Sequence, residues 1–212
     1  HGLVASHVSV TDRAGHVIVD DVSVHARPGR TLVIVGESGA GKSMLARTLC
    51  ALTPSALSAS GTVSLGGEDY DLATDQGRLK KQRGGGIVWL PQDPFTSLAP
   101  TIRCAKQVTA ARMGRRSERA QRSRALLAEA GLDARVARSY PHELSGGMRQ
   151  RVAIAAALDS EPGVLIADEP TTALDVTTQR DILTLLTRLR DDRGMTLVLV
   201  THDLALARQF GD

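Results

Sequence analysis

The stretch Gly36-Glu37-Ser38-Gly39-Ala40-Gly41-Lys42-Ser43 constrains this chain more than any other. It follows the pattern G-x-x-x-x-G-K-S, a loop that cradles phosphate groups with its own backbone. The pattern needs a buried strand before it and a helix after it. Thr31 to Val35 is a short, apolar, β-branched run, as suits a parallel strand covered on both faces. From Lys42, the residues Leu45, Leu49 and Leu52 recur at helical spacing, and Pro54 ends the run.

Each residue type in the loop has a physical reason to be there. Glycines at 36, 39 and 41 let the main chain approach a ligand closely. The loop N–H groups then point inward as an anion nest, and the following helix adds its positive N-terminal end. Lys42 supplies a full charge near the β- and γ-phosphates, and Ser43 places a hydroxyl where it can ligate Mg²⁺. Glu37, Ser38 and Ala40 complete the nucleotide-binding loop.

Composition bounds the remaining possibilities. A length of 212 residues suits one domain, or one domain with a large insertion. Aromatic residues make up 2% and the net charge is only +3, so base stacking has almost nothing to work with and no nucleic-acid partner is expected. Cys50 and Cys104 are far apart and form no metal or redox motif, which points to a reduced compartment. No apolar run approaches the ~18 residues of a membrane span, and no signal peptide is visible. The chain starts at His1 without Met, so a trimmed piece of a longer protein is expected.

Leu3 to Val10 and Val17 to Val24 alternate apolar and polar residues around a turn at Ala14-Gly15, predicting antiparallel strands with one wet face. Gly61 to Leu65 predicts another strand, and the polar stretch Asp69 to Lys81 a short helix and loop. Ile87 to Leu90 reads as a strand that breaks at Pro91, with Gln92 just beyond it. Gln92 can reach a bound Mg²⁺ or a water near the γ-phosphate, although an exposed loop glutamine is the simpler reading. Helices are expected over Arg103 to Met113 and Arg119 to Ala130. The basic cluster Arg112, Arg115, Arg116, Arg119, Arg122 and Arg124 reads as a solvated helix face, since Glu118 and Glu129 are interspersed and no aromatic joins it.

Three further constellations carry chemistry. In Leu144-Ser145-Gly146-Gly147, Ser145 is a good N-cap and the two glycines leave the first helical N–H groups bare, making a second anion site. Gly163 to Glu169 is an apolar strand ending in two acids, the Walker B arrangement. Asp168 would hold Mg²⁺ opposite Ser43, and Glu169 can orient and deprotonate an attacking water. Asp175 is at least the N-cap of a helix carrying Ile182, Leu185, Leu186 and Leu189. Met195 to Val200 predicts a buried strand with His202 at its end, where it could contact a γ-phosphate.

In this order, the Walker A loop at 36–43, Gln92, the L-S-G-G signature at 144–147, Asp168-Glu169, Ala173-Leu174-Asp175 and His202 resemble an ABC-type ATPase over essentially the whole chain. The resemblance implies an α/β phosphate-loop NTPase with a mostly parallel core sheet, an N-terminal antiparallel β subdomain and a helical subdomain. About 1–92 and 161–212 would form the catalytic core and about 93–160 the helical part. It implies that two domains pack head to tail, with each ATP between one subunit's Walker A and the other's Ser145-Gly146-Gly147. It also implies that Glu169 is the general base, that His202 senses the γ-phosphate, and that Asp175 lies in the nucleotide-binding D-loop. The Gln92 loop and the helical segment after it would meet a membrane permease.

Gln92 to Pro100 looks like the Q-D-P-x-x-S-L-N-P stretch of peptide and nickel importer ATPases, with Ala99 in place of the usual Asn. That implies a Mg²⁺-dependent ATPase at the cytoplasmic face of the inner membrane. It would power import of solutes delivered by an extracellular solute-binding protein. The family's aromatic residue for stacking on adenine is missing from the N-terminal region, leaving Arg13 or His16 as substitutes. The C-terminal extension of those importers is absent too, so a truncated or fused half is expected. The alternative is a soluble ABC ATPase of DNA repair, chromosome organisation or translation. The sequence lacks the zinc modules, coiled-coil insertions and tandem domains usual there.

Overall fold

The computed structural model describes residues 1–93, 97–172 and 174–212. Pro94, Phe95 and Thr96 of the Gln92 to Pro100 stretch, and Ala173 of the Ala173-Leu174-Asp175 stretch, lie outside the described residues. In chain order the elements are β1 (Leu3–Asp12), β2 (Val17–Ala26), β3 (Thr31–Val35), α1 (Lys42–Leu49), β4 (Leu57–Leu65), β5 (Glu68–Asp71), α2 (Gln76–Lys80) and β6 (Ile87–Leu90). There follow α3 (Cys104–Val108), α4 (Arg116–Glu129), α5 (Gly146–Leu158), β7 (Val164–Asp168), α6 (Val176–Arg193), β8 (Thr196–Thr201) and α7 (Leu204–Phe210). The chain divides into two units: His1–Trp89 with Pro162–Glu169 and Thr187–Asp212, and Leu90–Glu161 with Pro170–Leu186.

The first unit holds both sheets. One is antiparallel with strand order β2-β1-β4-β5; the other has the order β3-β8-β7-β6. In the second, β3 and β7 each run parallel to β8. All five residues of β7 and all six of β8 are buried, which is why both read as continuous apolar runs. Helix α1 contacts β1 and β2 of one sheet and β7 and β8 of the other. Its Leu45, Ala46 and Leu49 join Val164, Ile166, Val198 and Val200 in one core. The phosphate loop is thereby anchored on a strand paired with buried β8 and on a helix locked by apolar burial.

The antiparallel sheet is less regular than simple alternation predicts. His7 and Asp21 have positive φ (53° and 45°), and the β1–β2 register shifts around them. Side-chain hydroxyls take over two of the disturbed N–H groups: His7 N–H donates to Ser23 Oγ and Asp21 N–H to Ser9 Oγ, both at 3.0 Å. β4 begins at Leu57, four residues before the expected start at Gly61. Gly61 marks a close backbone approach inside the strand, not its beginning. A Cβ there would lie 2.4 Å from the carbonyl oxygen of His7. The expected helix and loop over Asp69 to Lys81 also needs correction, because Glu68–Asp71 pairs with β4 as an edge strand and the helix is confined to Gln76–Lys80. Its acidic residues suit an exposed edge, while Tyr70 and Leu72 bury beneath it.

In the second unit, α3 is shorter than the expected Arg103 to Met113 helix. α4 starts at Arg116, earlier than expected, because Glu118 reaches back to accept the Arg115 N–H at 3.1 Å. Leu126 and Leu127 of α4 and Val152, Ile154 and Leu158 of α5 are fully buried. The arginine cluster is only partly a solvated face. Arg112 Nε donates to buried Asp159 at 3.0 Å, Arg122 pairs with Glu161 at 2.6 Å, and Arg119 donates to the Thr109 carbonyl at 2.9 Å. Arg122 thereby ties α4, and Arg112 the segment before it, to the end of α5, while Arg119 ties α4 to the end of α3. Arg115, Arg116 and Arg124 remain exposed.

Candidate active site

Strand β3 delivers the chain into the phosphate loop, and Gly41 turns it into α1 at φ 82°. A side chain there would place its Cβ 2.4 Å from the Ile18 carbonyl oxygen, so only glycine fits. The first turn of α1 has no side-chain cap and no acidic residue. Its leading N–H groups and positive end are therefore directed at whatever enters the loop.

Lys42 is 7% exposed and folds back over the loop, donating to the carbonyls of Gly36 (2.9 Å) and Glu37 (2.7 Å). Its Nζ also lies 3.8 Å from Glu169 Oε1. Ser43 Oγ donates to Asp168 Oδ1 at 3.0 Å, which joins the start of α1 to the end of β7. Glu169 follows directly. Its N–H donates to the Val200 carbonyl at 2.9 Å, and its backbone is left-handed at φ 43°. For a glutamate that conformation costs about 1–3 kcal/mol and persists only where the surroundings hold it. The other carboxylate oxygen, Oε2, stands 3.2 Å from Nδ1 of His202, which is half exposed just beyond β8. Glu169 is thus held between an ammonium and an imidazole. The neighbouring Asp203 has a different role, capping α7 through the N–H groups of Ala205 and Leu206.

Asp168 is 2% exposed, and that burial raises its carboxyl pKa above the ordinary value. The bond from Ser43 opposes the rise, the nearby Glu169 charge adds to it, and Lys42 lowers it. The indole N–H of Trp89 is buried without an acceptor at full hydrogen-bond geometry, yet is near enough to lower the Asp168 pKa. The Arg47 guanidinium covers the Trp89 ring at 5.4 Å.

A raised acid pKa means that the folded chain holds a proton to higher pH than the unfolded chain. Stability therefore falls as pH rises from the ordinary carboxylate range through the raised value, and at neutral pH the whole penalty is present. Asp168→Asn keeps the acceptor for Ser43 and removes the charge. Without nucleotide it should be more stable at pH 7 by about 0.5–2 kcal/mol, and the gain should shrink towards acid pH. Thermal melts across pH check this; equal melting of the two proteins at pH 7 would show that Asp168 carries no burial penalty.

The second unit gathers the remaining candidates. Ser145 Oγ caps α5 by accepting the Met148 N–H at 3.3 Å, and Gly146 and Gly147 form the first turn. Asp175 accepts the N–H (3.0 Å) and hydroxyl (2.7 Å) of Thr178, bonds that hold its carboxyl below the usual range. Ser145 and Asp175 are exposed, as is Gln92 directly after Pro91. Of the two substitutes for an adenine-stacking aromatic, Arg13 is exposed and His16 pairs with Asp12 at 2.9 Å.

The structure brings Lys42, Ser43, Asp168, Glu169 and His202 together in the first unit, and Ser145, Gly146, Gly147 and Asp175 into the second. Sequence reasoning missed the left-handed Glu169, for which no residue type gives a signal. It also missed Trp89 and Thr178. The hydroxyl three residues after an N-cap acid was a legible cue to Thr178.

The family model described as ABC transporter matches residues 19–172. A peptidoglycan transport ATP-binding protein, YejF of Agrobacterium fabrum, is 43% identical over 94% of this chain and 38% of its own length. The dipeptide transport ATP-binding protein DppD of Bacillus subtilis is 40% identical over 97% of this chain and 64% of its own length. The chain thus spans roughly a third to two thirds of such relatives. Among solved structures, the post-hydrolysis dimer of the ATP-binding cassette MJ0796 bound to ADP and Pi superposes with a TM-score of 0.83 at 32% identity. That match covers 99% of this chain and 91% of the other. A family model spanning most of the chain, on an α/β core that opens on a phosphate loop, shows that the chain belongs to the ABC transporter family.

Proposed function

We propose that this chain binds and hydrolyses ATP with Mg²⁺, as the nucleotide-binding part of a membrane importer for peptide-type solutes. The observation that carries the reading is the convergence of Lys42, Ser43, Asp168, Glu169 and His202 at the ends of β3, β7 and β8. The names of the relatives, all transport or import ATP-binding proteins, supply the solute class.

The residues fit the metal. Mg²⁺ takes one or two carboxylates, keeps several waters and relies on substrate phosphates for the rest. Here one hydroxyl and one buried carboxylate stand 3.0 Å apart. Among the described residues no group of three or more His, Cys, Asp or Glu could form a separate metal centre. When bound, the ion neutralises phosphate charge and the burial penalty of Asp168 together.

Lys42 exchanges its two carbonyl contacts for phosphate oxygens, and the loop N–H groups close around the same charge. Glu169 takes the proton of the attacking water. Its left-handed backbone, the Lys42 ammonium and the His202 ring fix where its oxygens can stand, and a positioned base of this kind contributes about 10²–10⁴-fold. His202 reads the γ-phosphate from the opposite side of that carboxylate. Ser145, Gly146, Gly147 and Asp175 act on the nucleotide of a facing copy. The segments 1–92 and 161–212 form the catalytic core, and 93–160 is the helical part that meets the permease. The domain then works peripherally on the cytoplasmic face of the membrane, with an extracellular binding protein delivering solute.

Light scattering on Glu169→Gln protein tests the reading. With ATP and Mg²⁺ the mass should double, and with ADP it should not. A monomer under both conditions, even when a candidate partner ATPase is mixed in, removes the head-to-tail arrangement.

A further inference from the structure

Two observations in the second unit meet at Thr178. The first is steric. A Cβ added to Gly147 would lie 2.6 Å from Thr178 Cγ2, and one added to Gly146 would lie 3.2 Å from Leu174 Cδ2. The start of α5 is therefore pressed directly onto the 174–178 segment. Neither glycine has a positive φ, so what position 147 demands is room and not an unusual backbone.

The second observation is polar. The Thr178 hydroxyl donates to Asp175 Oδ2 at 2.7 Å, and its N–H donates to Oδ1 at 3.0 Å. Gln179 Nε2 pins the same segment by donating to the carbonyls of Thr171 and Leu174, each at 3.1 Å. Threonine is β-branched, so Oγ1 and Cγ2 hang from one carbon and move together. Turning the side chain to take the methyl off Gly147 also takes the hydroxyl off Asp175.

We propose that Thr178 is a positioning residue that locks Asp175 to the turn Ser145–Gly147, so that both are offered to a facing subunit as one rigid element. The proposal rests on the head-to-tail reading above. Within it, the glycines do more than leave N–H groups bare: Gly147 is also the socket for the Thr178 methyl. A shift of Asp175 against the signature turn by ~1 Å would cost about 10²-fold in turnover, with no change at the Lys42 site.

The test separates the two atoms. Thr178→Val keeps the methyl and removes the hydroxyl. It should bind ATP as wild type does, yet lose about ten- to a hundredfold in kcat and weaken the ATP-dependent dimer of Glu169→Gln protein. Thr178→Ser keeps the hydroxyl on Asp175 but empties the socket against Gly147, so it too should bind ATP normally and lose kcat, by less than Thr178→Val. Gly147→Ala should lose both melting temperature and turnover, and adding Thr178→Ser should restore both by emptying the socket. Wild-type kcat in Thr178→Val, or a double variant no better than Gly147→Ala, overturns the proposal. So does rescue seen in melts alone, which would make the contact structural only. Failure of the head-to-tail reading shows itself earlier, as absence of dimer in the parent Glu169→Gln protein.

Discussion

Glu169→Gln should leave ATP bound and reduce its hydrolysis by about 10²–10⁴-fold. The substitution is nearly isosteric. It keeps the backbone bond to Val200 and a polar contact for His202, so the left-handed turn at 169 has no new reason to relax. What disappears is the proton acceptor. Parallel measurements of phosphate release and nucleotide affinity separate the two effects. A variant that hydrolyses at the wild-type rate would remove Glu169 as the base. One that loses binding and turnover together would mean that Glu169 shapes the pocket instead of performing chemistry.

Lys42→Ala is expected to act on the other side of that division, abolishing tight binding. The ammonium is buried against two loop carbonyls and one carboxylate, so it enters the phosphate contact already desolvated and oriented. Removing one partner of such a buried charge contact costs about 2–5 kcal/mol. In affinity that is roughly 30-fold to several thousandfold. Isothermal titration with Mg·ATP measures it directly. Unchanged affinity would mean that the loop carries no nucleotide at all. The two variants together form a diagnostic pair: one binds without turning over, the other does neither.

The sequence exposed the ends of the catalytic strands better than the sheet that flanks them. β7 and β8 announce themselves because parallel strands buried on both faces are unbroken apolar runs; β3, only partly buried at the sheet edge, is still an apolar run, and the residues that follow such runs stand out. The same physics made β5 illegible. Glu68-Asp69-Tyr70-Asp71 is an edge strand whose exposed acids read as loop, and only its pairing with β4 makes it a strand. Gly61 misled for a related reason. A glycine that makes room for the His7 carbonyl looks, in one dimension, like a strand terminus. In the helical part, long-range pairs decided matters that periodicity could not see. Arg112 and Arg122 are indistinguishable in sequence from exposed Arg116 and Arg124 until Asp159 and Glu161 are placed beside them.

At the site itself, residue identities were legible and their conformations were not. The pattern of loop, acids and histidine says which side chains matter. It does not say that Glu169 is held left-handed between Lys42 and His202, or that Gly147 is a socket. Those features depend on the approach of atoms distant along the chain, and no local propensity encodes them.

Trp89 has a practical consequence. The chain contains a single tryptophan, and its indole lies under Arg47 and close to Asp168. Nature has therefore placed one intrinsic fluorophore beside the carboxylate proposed to meet the metal, with no second indole to dilute its emission. Neutralising Asp168 or shifting Arg47 changes the field across that ring, so occupancy of the site becomes an optical signal in the unlabelled protein. Stopped-flow mixing can then time nucleotide arrival, hydrolysis and release without a dye, a label or a coupled assay.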